Sequence, residues 1–129
     1  FVVLAAPLTE RTRGMLGERE LRLLQPGAFL INPARAELID ERALYEALRD
    51  RAFAGAALDP WWHYPKTDEC VAPSRFPFAE LDTVIMTPHS SGSTEETFRR
   101  RMDVVAANID RFLRGEAVAN VVEELSRRR

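Results

Sequence analysis

The sequence holds a single cysteine and no long apolar run, and these two absences exclude whole classes of protein. Cys70 has no second cysteine to pair with, so an internal disulfide is impossible and a reducing cytoplasm is the expected compartment. No apolar run approaches the roughly 20 residues of a membrane-spanning helix, and no basic segment typical of a signal peptide precedes Phe1. We therefore expect a cytoplasmic protein that does not enter the membrane.

An excess of charge of one sign is lacking as well. Eighteen Lys and Arg residues stand against twenty Asp and Glu, which leaves a formal net charge of -2. No overall electrostatic field therefore favours nucleic acid or an anionic membrane as a partner, and we expect neither. No metal site is predicted. At 129 residues the chain can form one core, but not a two-domain enzyme.

Short apolar runs alternate with helical patterns along the whole chain. The last helix is the clearest, because Ser93 and Glu96 form a capping-box pattern and an apolar stripe follows them at helical spacing, with an end near Gly115. Before it, Asp40 is the predicted N-cap of another helix. This alternation predicts an α/β fold with a parallel sheet built from βαβ units. The predicted strands are 1–6, 28–32, 53–58 and 83–87, the first helix is clearest at 18–24, and the stripe is Phe98, Met102, Val105, Ile109 and Phe112.

The first predicted strand is apolar at every position. A continuous run such as Phe1–Ala6 is typical of a strand that is buried on both faces of a parallel sheet. Since a native chain rarely begins in a central strand, we expect further sequence to precede Phe1.

The segment 60–82 interrupts the alternation. It is long, irregular and rich in proline and aromatic residues. Loops of this length in compact domains are usually functional or mobile, but an aromatic cover over the core is an equally good interpretation. The sequence leaves both open.

Three chemically useful side chains follow three different predicted strands. Arg35 follows the second strand, Asp59 the third and His89 the fourth. Ligands bind beyond the carboxyl ends of the strands in open parallel sheets, so these residues are expected to converge on one edge. A guanidinium can hold a carboxylate through two hydrogen bonds, and an imidazole can exchange a proton near neutral pH. The pattern favours a site for a 2-oxo or 2-hydroxy acid, with the hydride passing to a cofactor.

Each of these residues also has a structural interpretation. Arg35 could form a surface ion pair, Asp59 could cap a turn, and His89 could stabilise the turn that follows it. The occurrence of all three at equivalent strand ends favours the functional interpretation.

Ordered blocks of sequence resemble the D-isomer-specific 2-hydroxyacid dehydrogenase family. The resemblance implies that Arg35 binds the substrate carboxylate, that His89 is the acid/base and that Asp59 faces the nicotinamide carboxamide. It also implies NAD as the cofactor, with NADP not excluded, and a cofactor cleft lined by Pro7, Leu8, Thr9 and Ala34. The blocks are Pro7-Leu8-Thr9, Thr12-Arg13-Gly14, Pro26-Gly27-Ala28 through Asn32, Ala34-Arg35, Ile39-Asp40-Glu41, Gly55 through Asp59, Thr87-Pro88-His89 with Gly92, and Asn120-Val121-Val122.

The chain departs from the family pattern at two positions. Ala36 stands where the family usually has glycine, and Tyr64, just before Pro65, stands where most members have a glutamate that orients the histidine. A phenol is neutral at pH 7 and cannot supply the charge of that glutamate. Asp68 or Glu69 could replace it from the same loop.

The glycine-rich G-x-G-x-x-G motif and the acidic residue that reads the ribose do not occur in the sequence. We therefore interpret residues 1–129 as the C-terminal portion of a dinucleotide-binding domain, a partial Rossmann-like parallel sheet with flanking helices. The glycine-rich half and the substrate domain are absent from it, and we expect this portion alone to be inactive.

Three functions remain open at this point. The first is an NAD(P)-dependent oxidoreductase that acts on small 2-hydroxy or 2-oxo acids. The second is a non-catalytic relative that serves as an assembly module, and the third is a formate-type dehydrogenase of the same superfamily. The open edge of the strand 1–6 further predicts self-association, most simply as a homodimer.

Overall fold

The computed structural model describes residues 1–121, in two compact units. The first unit is Phe1–Ser91 and the second begins at Gly92. The last residue of the block Asn120-Val121-Val122 lies outside the described residues. Within residues 1–121, no helix combines the length and the apolarity needed to cross a bilayer.

A four-stranded parallel sheet forms the centre of the first unit. Its strands follow the order β1-β2-β3-β4, and every neighbouring pair is parallel. The predicted α/β fold, a partial Rossmann-like sheet with flanking helices, is therefore confirmed. The strands are β1 (Val2–Val3), β2 (Phe29–Asn32), β3 (Gly55–Leu58) and β4 (Val84–Met86).

The helices of the first unit lie in the connections between its strands. They are α1 (Glu18–Leu21) and α2 (Glu41–Arg49), with 3-10 turns at Ala36–Leu38 and Phe78–Glu80. The predicted cap of α2 is confirmed, because the Asp40 carboxylate accepts the N–H of Ala43 at 2.8 Å. Helix α1 is shorter than the predicted 18–24, since the N–H of Leu24 bonds to Leu21 in a tight turn before Pro26.

Close packing explains the glycine of β3. A Cβ added at Gly55 would lie 2.5 Å from the main-chain oxygen of Thr83, at the start of β4. The strand therefore needs a residue without a side chain at this point, as its glycine- and alanine-rich composition indicates.

The core of the first unit lies under the sheet and includes part of the segment 60–82. Leu30 and Leu58 from the strands and Leu44 from α2 are buried. Trp61 and Phe78 from the irregular segment are buried with them. The aromatic cover that the sequence left open is therefore present, because these two rings complete the apolar interior.

The prediction that the strand 1–6 is buried on both faces is wrong. Val2 and Val3 are 37% and 56% exposed, and Leu4 is the buried residue that follows them. Strand β1 lies at the edge of the described sheet, where it pairs only with β2. An edge strand has one side without a neighbour, so its apolar residues remain accessible.

The second unit contains one long helix, α3 (Glu95–Leu113). Its predicted cap is wrong by one residue, because the hydroxyl of Thr94, not Ser93, accepts the N–H of Thr97. Glu96 forms ion pairs with Arg99 and Arg100 instead of completing a capping box. The predicted end near Gly115 is confirmed by its left-handed φ of 70°.

Candidate active site

The carboxyl ends of β2, β3 and β4 lie side by side and carry the three predicted site residues. Asp59 donates its main-chain N–H to the oxygen of Asn32 at 3.1 Å, and His89 donates its own to the oxygen of Asp59 at 2.9 Å. These bonds continue the sheet beyond the ends of the strands. Arg35 and His89 therefore follow β2 and β4 on the same edge of one parallel sheet, with Asp59 between them.

The loop that carries Arg35 is held by the buried side chain of Asn32. Its Nδ2 donates to the main-chain oxygen of Arg35 at 2.8 Å, and its Oδ1 accepts the N–H of Ala34 at 3.1 Å. Asn32 is 1% exposed, so both ends of its amide are used by this loop. A polar residue at the end of an apolar strand is the sequence signal for such a role, and the predicted site did not include Asn32.

The guanidinium of Arg35 is exposed. It donates one hydrogen bond to the oxygen of Ala34 at 2.6 Å, which leaves further donors of its planar fork available. Within residues 1–121 it forms no ion pair, so the alternative of a surface salt bridge has no support there. Ala36, the departure from the family glycine, is buried in the core.

The carboxylate of Asp59 anchors the segment that contains His89. Its Oδ1 accepts the Thr87 hydroxyl at 2.5 Å and the N–H groups of Ser90 and Ser91 at 2.9 and 3.2 Å. Its Oδ2 accepts the hydroxyl and the N–H of Ser91 at 2.6 and 3.2 Å. Both carboxylate oxygens accept hydrogen bonds from protein donors, so Asp59 caps the turn that follows β4, as its structural interpretation predicted. Its contact with a nicotinamide stays a prediction.

These hydrogen bonds also set the charge of Asp59. Burial by itself raises the pKa of the carboxyl group, but the hydrogen bonds from Ser91, Thr87 and Ser90 outweigh burial and lower the pKa to about 2. Asp59 is therefore ionised at neutral pH, and its carboxylate places a negative charge at the carboxyl end of β3.

His89 has an uncommon backbone conformation. Its φ is 55°, in the left-handed region that residues other than glycine rarely adopt. Its N–H is fixed by Asp59, and its side chain is exposed. Arg51 and Asn120 share this conformation, with φ of 53° and 59°, so the conformation by itself does not mark His89 as a site residue.

The imidazole of His89 bonds to Tyr64. The Tyr64 hydroxyl lies 2.8 Å from the Nδ1 atom of His89, and it accepts the N–H of Trp61 at 2.9 Å. The alternatives offered by the sequence, Asp68 and Glu69, are exposed. Within the described residues the hydrogen-bonding side chain beside Nδ1 is thus the tyrosine that replaces the family glutamate.

The turn after β1 forms the far end of the same edge. The hydroxyl of Thr12 donates to the oxygen of Pro7 at 2.7 Å and accepts the N–H of Thr9 at 2.8 Å. Pro7 and Thr9 are exposed and Leu8 is half-buried, so main chain is accessible next to the loop of Ala34. Thr12 is a positioning residue for this turn that the predicted site did not include.

Tyr64 forms part of the wall of an apolar cleft. It has a volume of about 440 Å³ and opens beside the last residues of β4. Its walls are formed by Trp61, His63, Tyr64, Pro65, Val71, Pro73, Met86, Thr87 and Pro88.

The sequence of the first unit matches one known protein family. Residues 1–91 match the model of the D-isomer specific 2-hydroxyacid dehydrogenase family, NAD binding domain. The chain belongs to this family. Its match ends two residues after His89, so the whole edge described above lies within the family domain.

Individual relatives support the same assignment. The chain is 42% identical to D-3-phosphoglycerate dehydrogenase of Methanocaldococcus jannaschii over 95% of its own length and 22% of that protein. It is 38% identical to glyoxylate reductase of Korarchaeum cryptofilum over 96% of its length and 36% of that protein. The structure of D-lactate dehydrogenase with NAD+ from Lactobacillus jensenii superposes with a TM-score of 0.81 and 32% identity, over 93% of this chain and 38% of the other. The chain therefore spans about a fifth to two fifths of these proteins.

The edge fits one end of a dinucleotide cofactor. Pro7 and Thr9 after β1, Arg35 after β2 and His89 after β4 are exposed at this edge. The phosphates need a glycine-rich turn at a helix N-terminus, and residues 1–121 contain no such turn. The exposed residues of this edge thus fit the nicotinamide end of NAD, which needs no phosphate-binding turn.

Proposed function

We propose that the protein containing this chain is an NAD(P)-dependent oxidoreductase that interconverts small 2-oxo and 2-hydroxy acids. The observation that carries the proposal is the shared edge, where Asp59 joins the loop of Arg35 to that of His89 through main-chain hydrogen bonds. NAD is the proposed cofactor, and NADP is not excluded, because the residues that read the ribose are not in the sequence.

Each side chain has a defined part in this chemistry. The exposed guanidinium of Arg35 holds the substrate carboxylate and polarises the neighbouring oxygen. His89 gives a proton to the carbonyl oxygen during reduction and takes one from the hydroxyl during oxidation. The nicotinamide, when bound, supplies or accepts the hydride. Asp59 holds the His89 segment in place, and we propose that Asp59 also faces the nicotinamide carboxamide.

The cofactor cleft is proposed to be lined by Pro7, Leu8, Thr9 and Ala34. The exposure of Pro7 and Thr9 at the carboxyl end of β1 supports this assignment. Residues 1–129 are proposed to be the C-terminal portion of the cofactor domain. A phosphate-binding turn must then come from elsewhere in the complete polypeptide, and residues 1–129 alone are expected to be inactive.

Two further properties belong to this proposal. A cytoplasmic location agrees with the exposed, unpaired thiol of Cys70, which a reducing compartment preserves. A homodimer of residues 1–129 alone agrees with the accessible edge of β1, where Val2 and Val3 are exposed.

The substrate class is tested on the complete enzyme with glyoxylate, pyruvate, hydroxypyruvate and formate. We expect NADH oxidation with at least one 2-oxo acid, and Arg35→Ala should lower kcat/KM on the order of 100-fold, since the carboxylate loses its bidentate partner. Arg49→Ala is the matched control, because Arg49 is an exposed arginine of α2 that pairs with Asp50.

Turnover of formate alone would favour the formate-type dehydrogenase. No turnover of any substrate by the complete, cofactor-binding protein would favour the non-catalytic assembly module. An Arg35→Ala variant as active as Arg49→Ala would remove Arg35 from the site.

A further inference from the structure

The hydroxyl group of Tyr64 lies within hydrogen-bond distance of two partners of different kinds. One partner is the main-chain N–H of Trp61, which can only donate, at 2.9 Å. The other is the Nδ1 atom of His89, at 2.8 Å, which can donate or accept according to its protonation. Because the oxygen already accepts from Trp61, the phenolic proton is free to point to Nδ1.

Trp61 makes this arrangement rigid. Its indole Nε1 donates to the main-chain oxygen of Thr87 at 2.9 Å, two residues before His89. Its ring is buried, with 6% exposure, and packs edge-on against Phe78. Trp61 therefore fixes two groups. Its main-chain N–H holds the phenol of Tyr64, and its buried indole ring holds the main chain of Thr87, just before His89.

We propose that Tyr64 is the positioning residue of His89 and that its phenol selects the tautomer in which the neutral imidazole carries its proton on Nε2. The phenolic O–H donates to Nδ1, so Nδ1 is the acceptor of the ring. The remaining nitrogen, Nε2, then presents an N–H on the side of the ring away from Tyr64.

A carboxylate in place of this phenol would select the other tautomer. A carboxylate has no proton to give at neutral pH, so it can only accept from an Nδ1–H, which leaves Nε2 with a lone pair. The replacement of an acid by Tyr64 therefore changes what the exposed nitrogen offers. It offers a hydrogen-bond donor instead of an acceptor.

This change has a consequence for substrate class, which rests on the function proposed above. An Nε2–H donates a hydrogen bond to the carbonyl oxygen of a 2-oxo acid, whereas the ring accepts the hydroxyl proton of a 2-hydroxy acid at Nε2 only after its own proton has moved to Nδ1. With a neutral imidazole at His89, the site is therefore arranged to bind and polarise the 2-oxo acid. The 2-oxo acid is then the substrate that the enzyme binds best.

The tautomer is measured directly by nitrogen NMR of the complete polypeptide with labelled histidine, at the alkaline end of a pH series where the nitrogen shifts no longer change. We expect Nδ1 of His89 to give the shift of an acceptor nitrogen and Nε2 that of a protonated one. In Tyr64→Glu the two assignments should exchange. His63, the other histidine of the chain, is the internal reference and should keep its tautomer in both proteins.

Two outcomes of this measurement would overturn the proposal. One is a wild-type His89 with its proton on Nδ1. The other is a His89 whose tautomer is the same in the wild type and in Tyr64→Glu. Since the measurement needs neither cofactor nor substrate, it does not depend on whether the proposed function is correct.

Kinetics of the complete enzyme test the positioning role separately. Tyr64→Phe removes only the hydroxyl group, and we expect it to lower kcat for 2-oxo acid reduction on the order of tenfold, with a smaller change in KM. Tyr45→Phe makes the same change at the other tyrosine, whose ring packs on Phe76 and Phe78, and should leave kcat unchanged. Tyr64→Glu should raise KM for the 2-oxo acid relative to KM for the 2-hydroxy acid.

Unaltered kcat in Tyr64→Phe would contradict the positioning role, whatever the NMR result. If the tautomer exchanges as expected but no substrate is turned over, the phenol–imidazole pair stands and the proposed function fails. Thermal unfolding of Tyr64→Phe and Tyr45→Phe is compared first, so that a loss of rate is assigned to the site and not to unfolding.

Discussion

The main-chain N–H of His89 donates a hydrogen bond to the main-chain oxygen of Asp59 at 2.9 Å, and the carboxylate of the same Asp59 accepts the N–H groups of the two residues that follow, Ser90 and Ser91. His89 is thus held from both sides by one residue of the neighbouring strand. This explains how it keeps a left-handed φ of 55° without glycine. Asp59 determines where the imidazole stands.

Asp59→Asn should therefore displace His89. An amide cannot accept all the donors that surround the carboxylate, so we expect the free energy of unfolding to fall by about 2 kcal/mol and kcat/KM of the complete enzyme to fall on the order of 100-fold. Denaturant unfolding and steady-state kinetics measure the two effects. Asp82→Asn is the control, since Asp82 is an exposed carboxylate that pairs with Arg51 and should cost less than about 1 kcal/mol. Equal effects of the two substitutions would contradict the anchoring role.

The low pKa of Asp59 predicts acid sensitivity in a defined window. Its pKa is lowered from 3.8 to about 2 in the folded state, so its contribution to stability is complete above about pH 4 and is lost as the pH falls towards 2. Because the carboxylate is buried, solvent screens these hydrogen bonds little, and we expect this contribution to be about 2 kcal/mol. The difference in unfolding free energy between wild type and Asp59→Asn should shrink across this window. A difference that stays constant would show that the carboxylate is not stabilised.

Asn32→Ala should loosen the loop that presents Arg35. The substitution removes both hydrogen bonds that hold the main chain of Ala34 and Arg35, so we expect KM for the substrate to rise about tenfold through the displaced guanidinium. Asn108→Ala is a close match, because Asn108 brackets the main chain of Ala119 in the same way. It should lower stability without changing KM. The role of Asn32 would be refuted if both variants had the wild-type KM.

Gly55→Ala should destabilise the sheet. The added methyl group would meet the oxygen of Thr83 at 2.5 Å, and a main-chain atom in a strand cannot move without separating β3 from β4. We expect a loss of about 1 to 3 kcal/mol in thermal unfolding. Gly27→Ala meets no atom within 4 Å and should be neutral or slightly stabilising. Similar melting temperatures for both variants would argue against the close contact.

The accessible edge of β1 should make residues 1–129 self-associate. We expect sedimentation velocity to show dimers or larger species at high concentration, because Val2 and Val3 are exposed beside unpaired main-chain groups. Val3→Lys should shift the population towards monomer, while Val71→Lys, at another exposed valine, should not. A wild-type chain that is monomeric at high concentration would exclude this edge as the contact.

Local patterns in the sequence were enough to predict the sheet and its crossovers. Each of β2, β3 and β4 lies within a predicted apolar run, and the Asp40 cap of α2 depends on a side chain three residues from its partner. The edge with Arg35, Asp59 and His89 followed because parallel strands end on the same side. The assignment of the fold and of these three positions therefore needed no coordinates.

Only the tertiary structure decided how the edge is held and which group meets the imidazole. Tyr64 and His89 are 25 residues apart and are joined through an irregular segment with no periodicity to interpret, so their contact depends on the burial of Trp61. The exposure of β1 likewise depends on its position in the sheet, which an apolar run does not encode. Hydrogen bonds between neighbours in the chain can be read from residue order, whereas contacts across a loop exist only when the packing of the core brings their ends together.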